Sequence, residues 1–315
     1  MRRVSLATLE YSIVQHCNLS CCGCDHGSPM LPRHFVSVDE FRGALRAARD
    51  TLQVGVLLLL GGEPLLHPEL EQLIDCARTS GVAGGVGLVT NGVLLHALSP
   101  RVWAMLTRLD LSLYPGVRLR MPLERVVELA EQHHVQLVVR KPHAFRATLL
   151  KERVADDQLV QRVFDSCRIA HDYRCRSLAR GRFYTCSVAP QMPAWLTMLG
   201  VDTAEVVRDG VPLQAGVNSC TDVERSLRTA APLASCRFCL GTAGVDITHH
   251  QDNAADRAAW LMSRDAGPMA QINPDRLKPI RSPGESAEQG IPRSPWTWVA
   301  GALLRLRRDL GVSSE

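Results

Sequence analysis

Leu9-Glu10-Tyr11-Ser12-Ile13-Val14 runs directly into Gln15-His16-Cys17-Asn18-Leu19-Ser20-Cys21-Cys22-Gly23-Cys24-Asp25-His26. An extended stretch thus delivers three spaced thiols, Cys17, Cys21 and Cys24, into one loop. The spacing Cys-x3-Cys-x2-Cys suits three irons of a [4Fe-4S] cube and leaves the fourth iron without a protein ligand. Soft thiolates select iron–sulfur or zinc centres. Zinc sites use Cys-x2-4-Cys couples and four ligands in total, so an odd set in one short loop favours a cluster with an open site. The competing readings are reduced structural cysteines or part of a zinc site.

Strand and helix signals alternate from there to Pro142. Val54 to Leu60 is an almost unbroken apolar run, the pattern of a strand buried on both faces. It ends in Gly61-Gly62-Glu63-Pro64. Further strands are expected at Val86–Thr90, closed by Asn91-Gly92, at Leu109–Leu113, and at Val135–Arg140. Between them Ser37 with Glu40 forms a capping box, Pro68 stands at a first helical position, Ser99-Pro100 starts another helix, and Leu123–His133 is a further one. Such a βα series predicts a parallel sheet with helices outside.

Four motifs in this order resemble the radical S-adenosylmethionine (SAM) enzymes: the cysteine loop, the Gly-Gly-Glu-Pro turn, the Thr90-Asn91-Gly92 turn, and a strand carrying Ser112. The resemblance covers residues 8 to about 145 and implies an α/β fold, a partial (β/α)6 TIM barrel, with the motifs at the C-terminal ends of strands, where barrel enzymes place chemistry. It further implies that Gly61, Gly62 and Glu63 meet the SAM amino group, that Asn91 and Ser112 lie near the ribose, and that Arg140 meets the SAM carboxylate. One departure stands out: the position before the third cysteine is usually aromatic, and here it is Gly23. Adenine stacking must come from elsewhere or be weaker.

Past Val154 the cysteines cluster again at 167, 175, 186, 220, 236 and 239. Ser177–Cys186, with Arg180-Gly181 at its centre, reads as a hairpin. Cys167-x13-Gly181-x4-Cys186, completed by Cys236-x2-Cys239, is similar to the twitch domain, a shortened SPASM extension. The resemblance assigns Cys167, Cys186, Cys236 and Cys239 to a second, auxiliary [4Fe-4S] cluster in a small C-terminal α+β domain; structural zinc would use the same ligands. Cys22 and Cys76 read as packing residues. Cys175 and Cys220 are left as free thiols able to donate hydrogen, Cys175 first, because it falls between two auxiliary ligands. The divisions expected are 1–153 for the barrel core, 154–263 for a barrel-closing helix and the twitch domain, and 264–315 for a linker, rich in Pro, Gly, Ser and Arg, and an amphipathic helix over 295–310.

Composition sets the outer bounds. The chain has 315 residues, 46% hydrophobic and 22% charged, as in ordinary globular proteins. A net charge of +4 is too small to argue for nucleic acid. No stretch has the length of a membrane span, and no apolar leader follows Met1. Eleven cysteines without such a leader point to a reducing, cytoplasmic setting and metal ligation rather than disulfides.

The resemblance implies that the open iron chelates SAM, that one electron from a flavodoxin or ferredoxin cleaves it to a 5′-deoxyadenosyl radical, and that this radical takes hydrogen from an unactivated carbon. A thiol returning hydrogen from the opposite face would invert that carbon, as in the twitch epimerases acting on sugar carbinols of aminoglycoside and orthosomycin antibiotics; the substrate expected is a glycoside or sugar. Loss of an electron to the auxiliary cluster would give a ketone instead, as in the twitch dehydrogenase of butirosin biosynthesis. A peptide-modifying maturase is the third reading; only about seven residues precede the first expected strand, too few for the peptide-binding element usual there.

Overall fold

The computed structural model describes residues 2–263 and 266–280. Its frame is a run of β/α units: β1 (Val4–Val14), α1 (Val38–Ala48), β2 (Leu52–Gly61), α2 (Leu70–Thr79), β3 (Ala83–Thr90), α3 (Pro100–Met105), β4 (Arg108–Ser112), α4 (Leu123–Gln132) and β5 (Gln136–Arg140). These strands lie in the order β5-β4-β3-β2-β1, and every neighbouring pair is parallel. Two of the α-helical crossovers open on a serine cap. Ser37 Oγ accepts the Glu40 N–H at 3.1 Å to open α1, and Ser99 does the same for α3 with Pro100 behind it. Helix α2 begins at Leu70 rather than at Pro68, which sits in the preceding turn.

Side-chain alternation divides the strands into two faces. Leu9, Tyr11 and Ile13 of β1, Leu57 and Leu59 of β2, and Leu109 and Leu111 of β4 enter the apolar layer beneath the helices. There Tyr11 meets Phe41 of α1 edge to face at 4.7 Å. The opposite, concave face therefore receives Glu10, Ser12, Asp110 and Ser112. Arg140 of β5 is in register with Ser112 and joins them. Asp110 is buried and paired twice, accepting from Arg108 Nη2 at 2.8 Å and Arg140 Nη2 at 3.0 Å.

Five parallel strands form this partial barrel among the described residues. Where a sixth would stand, β6 (Ala144–Arg146) leaves the sheet and pairs antiparallel with β10 (Asp246–Thr248), Phe145 opposite Ile247. After α5 (Asp157–Asp165) and α6 (Arg168–His171), β7 (Ser177–Ala179) joins the free edge of β1 through the single parallel register Glu10↔Ser177. It turns back as β8 (Arg182–Tyr184). The expected hairpin centre is a two-residue turn with both residues left-handed, Arg180 at φ 46° and Gly181 at φ 66°, as tight hairpins favour. Then follow α7 (Met192–Met198), β9 (Val211–Pro212) beside β8, α8 (Cys220–Arg228) and, beyond β10, α9 (Ala254–Met262).

Two smaller apolar clusters hold the second half together. One gathers Phe164, Met192, Trp195, Leu196 and Phe238 around Cys167, Cys175, Cys186, Cys236 and Cys239. The other packs Leu150, Val154, Leu159, Val163 and Leu240 against Ile272. Residues 266–280, expected to be linker, thus dock on the body: Ile272 bridges Gly244, Arg276 pairs with Asp246 at 2.6 Å, and the Ile280 N–H donates to Asp165 O. Proline and glycine marked a lack of regular structure there, not a lack of contact. The amphipathic helix expected at 295–310 lies outside the described residues.

Candidate iron–sulfur and radical site

The loop Gln15–His26 leaves the C-terminal end of β1 and is clamped from two sides. The end of β2 presses against its start: the Gly62 N–H donates to Val14 O at 2.7 Å and the Glu63 N–H to His16 O at 3.1 Å. A Cβ at Gly62 would stand 2.0 Å from His16 O and 2.8 Å from Cys17 N, so only glycine permits this approach. From the far side comes the strap after β10. The Cys22 N–H donates to His250 O at 3.0 Å, and Cys21 bridges Gln251.

Polar groups face the loop sulfurs. Asn91 Nδ2 lies 3.6 Å from Cys17 Sγ and 2.7 Å from Asn18 Oδ1. Gln251 Nε2 donates to Cys21 Sγ at 3.2 Å, and His249 Nε2 is 3.3 Å from the same sulfur. Burial nonetheless pushes the Cys17 thiol up to about 12 and Cys21 up to about 11. His249, Gln251 and Tyr114 escaped the sequence reading. His249 and Gln251 lie in an unremarkable polar segment 228 and 230 residues from Cys21, and Tyr114 just follows β4. Tyr114 stacks on His249 at 5.0 Å and on Phe145 at 5.5 Å. Gly23 is explained by the same neighbours: a Cβ there would meet Ile247 Cδ1 at 2.8 Å and Phe145 Cβ at 3.3 Å. The β6–β10 pair fills the space that a side chain at 23 would claim.

Glu63 is fully buried, and its carboxyl is engaged. Oε1 accepts from Thr90 Oγ1 at 2.6 Å and Leu65 N–H at 3.1 Å, and Oε2 accepts from Asn91 N–H at 2.9 Å. Burial pushes it up to about 7 despite those donors. The carboxyl locks the β3 turn to the β2 turn and thereby aims Asn91 at the cysteine loop. Ser112 and Arg140 lie on the concave face as described, with the Ser112 hydroxyl against the Tyr114 phenol.

The second set of sulfurs is assembled from three separate segments. Cys167 precedes α6, Cys186 follows the hairpin, and Cys236 and Cys239 belong to the turn 234–238 and its end. All four lie in one apolar cluster, so the fold gathers these separate segments in one place. Asp209 fixes the turn, accepting from Ala234 N–H at 2.9 Å and Ser235 N–H at 2.8 Å. Gly241 lets the chain close, since a Cβ would stand 2.7 Å from Cys167 Sγ. Backbone groups donate to this set: the Val188 N–H to Cys186 Sγ at 3.4 Å and the Gly241 N–H to Cys239 Sγ at 3.2 Å. Desolvation pushes Cys186 up to about 12 and Cys236 and Cys239 well above the usual thiol range.

Cys175 and Cys220 part company. Cys175 is half-buried beside the concave face, with Glu10 against it and Cys186 and Asp25 nearby, and desolvation pushes its thiol well up. Cys220 opens α8 at the other end of the sheet, its thiol donating to Arg2 O at 3.1 Å and Thr51 O at 3.4 Å. Those acceptors flank the N-terminal ends of β1 and β2, roughly 30 Å along the strand from the cysteine loop. Cys220 cannot reach a carbon held there, and its expected donor role is withdrawn.

Comparison with known proteins adds a family. The chain is similar to molybdenum cofactor biosynthesis protein 1 of Mus musculus, 36% identical over 101 residues, covering 30% of this chain and 15% of that one. It is also similar to a GTP 3′,8-cyclase of Pelotomaculum thermopropionicum, 38% identical over 92 residues, covering 28% and 27%. The chain thus matches well under half the length of these curated relatives. Among solved structures, BtrN in complex with AdoMet and 2-DOIA aligns with TM-score 0.39 and 14% identity, over 59% of this chain and 74% of that one. No helix among the described residues is long and apolar enough to cross a membrane. The model of the radical SAM superfamily matches residues 11–179, just over half of the chain. That family implies a [4Fe-4S] cluster and SAM. Three thiols of one loop, with polar hydrogens facing two of them and a glycine turn against the loop's start, fit that pair. On these grounds the protein is a member of the radical SAM superfamily.

Proposed function

We propose that this protein inverts a carbinol carbon of a glycoside or sugar in natural-product biosynthesis, with Cys175 returning the hydrogen. When bound at Cys17, Cys21 and Cys24, the cluster and SAM supply a 5′-deoxyadenosyl radical that removes hydrogen from carbon. The chain's own residues do the rest. Backbone groups of Gly61–Glu63 and the Arg140 guanidinium hold the two polar ends of SAM. Asn91 and Ser112 meet its ribose, and the Tyr114–Phe145 pair offers the aromatic face that position 23 lacks. Cys167, Cys186, Cys236 and Cys239 hold a second [4Fe-4S] cluster. The reductant is of the flavodoxin or ferredoxin class.

One observation carries this reading: Cys175 is a fifth, half-buried thiol in the apolar cluster of the quartet, with the Glu10 carboxyl as its neighbour. A thiol S–H is weaker than a carbinol C–H, so hydrogen passes from sulfur to a carbon radical downhill. The nearness of Cys186 to Cys175 supports a second reading, in which the substrate radical gives up an electron and becomes a ketone.

Reconstituted enzyme in D2O with candidate glycosides separates the two. One solvent-derived deuterium at an inverted carbinol is expected, and Cys175→Ala should keep hydrogen abstraction yet lose the inverted product. A product lighter by two hydrogens would establish the ketone reading; normal inversion by Cys175→Ala would remove Cys175 from it.

A further inference from the structure

We propose that Glu10 is the proton donor that restores the Cys175 thiol after each turnover. This rests on the role proposed for Cys175. The geometry comes first from the backbone. Glu10 lies mid-strand in β1 on the concave face, its N–H donating to Arg176 O at 2.8 Å and its register partner being Ser177. Cys175 immediately precedes Arg176, whose carbonyl takes the Glu10 N–H, so the two residues are neighbours across the β1 edge. The thiol and carboxyl lie against each other, and each alters the other's proton affinity. The other charged groups facing Glu10 are His26 and Asp25 of the cysteine loop, paired to each other at 3.0 Å, and Arg140 of β5. A carboxyl placed inside an enzyme is costly unless hydrogen-bonded or paired, and Glu10 has the Cys175 thiol, His26 and Arg140 as its neighbours. Burial pushes Glu10 up to about 7, so it is available in both protonation states near neutrality, as proton transfer at that pH requires.

The chemistry balances. Donation breaks the Cys175 S–H bond homolytically and forms a C–H bond, leaving one unpaired electron on sulfur. A one-electron reductant of the ferredoxin or flavodoxin class converts that sulfur to a thiolate. The Glu10 carboxyl gives its proton to the thiolate, and water reprotonates Glu10. Solvent hydrogen thereby reaches the product through Glu10 and Cys175 in succession.

The test uses reconstituted enzyme and Glu10→Gln, which keeps size and removes the acidic proton. Its first readout needs no turnover: pH-dependent alkylation of Cys175 by a small uncharged thiol reagent, mapped by mass spectrometry. Removing the like-charged neighbour should move the alkylation midpoint to lower pH. The second is product count. Glu10→Gln should form about one inverted product per active site and then slow by about 100-fold, whereas Cys175→Ala forms none. Glu10→Asp, which retains a carboxyl, should restore repeated turnover with a shifted pH profile. Unslowed multiple turnover by Glu10→Gln, or an unmoved alkylation midpoint, would overturn the proposal. Should Glu10→Gln misfold, Glu10→Asp decides alone: an unchanged pH profile overturns the donor. If the wild type yields no inverted product, the inversion reading fails, and an unmoved midpoint would then separately refute the Glu10–Cys175 coupling.

Discussion

The two cysteine sites differ in how they are built. Cys17, Cys21 and Cys24 sit on one loop and have side-chain donors at their sulfurs from Asn91 and Gln251. Cys167, Cys186, Cys236 and Cys239 come from three separated segments and lie in an apolar cluster, with backbone N–H groups donating to Cys186 and Cys239. A loop that is already clamped by β2 and the strap after β10 is shaped before anything binds. In the quartet, burial pushes the Cys186, Cys236 and Cys239 thiols up, a cost that ligation of a soft cation offsets. On the proposed reading the first is a reaction site carried on a finished fold, and a cluster held by the second would be part of what finishes the fold.

The largest expected effect tests that contrast on stability. Cys236→Ala should remove one site's iron and lower the thermal midpoint by about 10 °C, from a loss of about 3–5 kcal/mol. The triple change of Cys17, Cys21 and Cys24 to Ala should remove a similar share, leaving about four irons of about eight, yet cost less than about 1 kcal/mol. Iron analysis with calorimetry of anaerobically purified variants makes the comparison. Equal destabilisation by both would break it, and a zinc-loaded quartet would correct the metal.

A smaller effect belongs to the loop side. Glu63 holds the turns after β2 and β3 together, and its pKa is raised from 4.5 to about 7, burial outweighing three donors. A carboxyl raised in the folded state gives stability that is fully present below the unfolded value and is lost as pH rises through the folded one. The window is pH 4.5 to 7, and the swing is about 3 kcal/mol. Glu10 adds a similar slope. Glu63→Gln should flatten part of the fall in unfolding free energy across that window and weaken SAM cleavage, with iron content unchanged. A slope identical to wild type would show that the carboxyl is already ionised in the fold.

The same contrast explains what could be read beforehand. The loop trio, the five parallel strands and the hairpin at Arg180-Gly181 are local patterns, fixed by spacing, apolar runs and turn chemistry. The quartet has no local signature beyond Cys236-x2-Cys239; only a family likeness joined Cys167 and Cys186 to it. Residues that meet across long separations left no trace. Gln251 reaches Cys21 because β10 pairs with β6, a short antiparallel ladder that neither segment's sequence announces. Glu10 read as one polar position in an alternating strand, and its meaning depends on Cys175 arriving beside it. Cys220 shows the converse: as a thiol left over from the ligand sets it suggested chemistry, but α8 starts at the wrong end of the sheet.

The smallest expected effect concerns tuning rather than assembly. Gln251 is oriented without ambiguity: its Oε1 accepts the Ser20 N–H at 2.6 Å, which turns its Nε2 toward Cys21 Sγ at 3.2 Å. A donor to a ligating sulfur withdraws charge from it and favours the more reduced state of the attached iron, since hydrogen bonds to sulfur help set cluster potentials. Gln251→Leu should therefore shift the reduction midpoint of the loop site to more negative values, and Gln251→Glu, which adds a like charge, should shift it further. The quartet lacks this device and should keep its midpoint in both variants. An electron paramagnetic resonance titration resolves the two sites in one sample. A shift shared by both, or a larger shift for Leu than for Glu, would remove Gln251 as a selective tuner of the loop site.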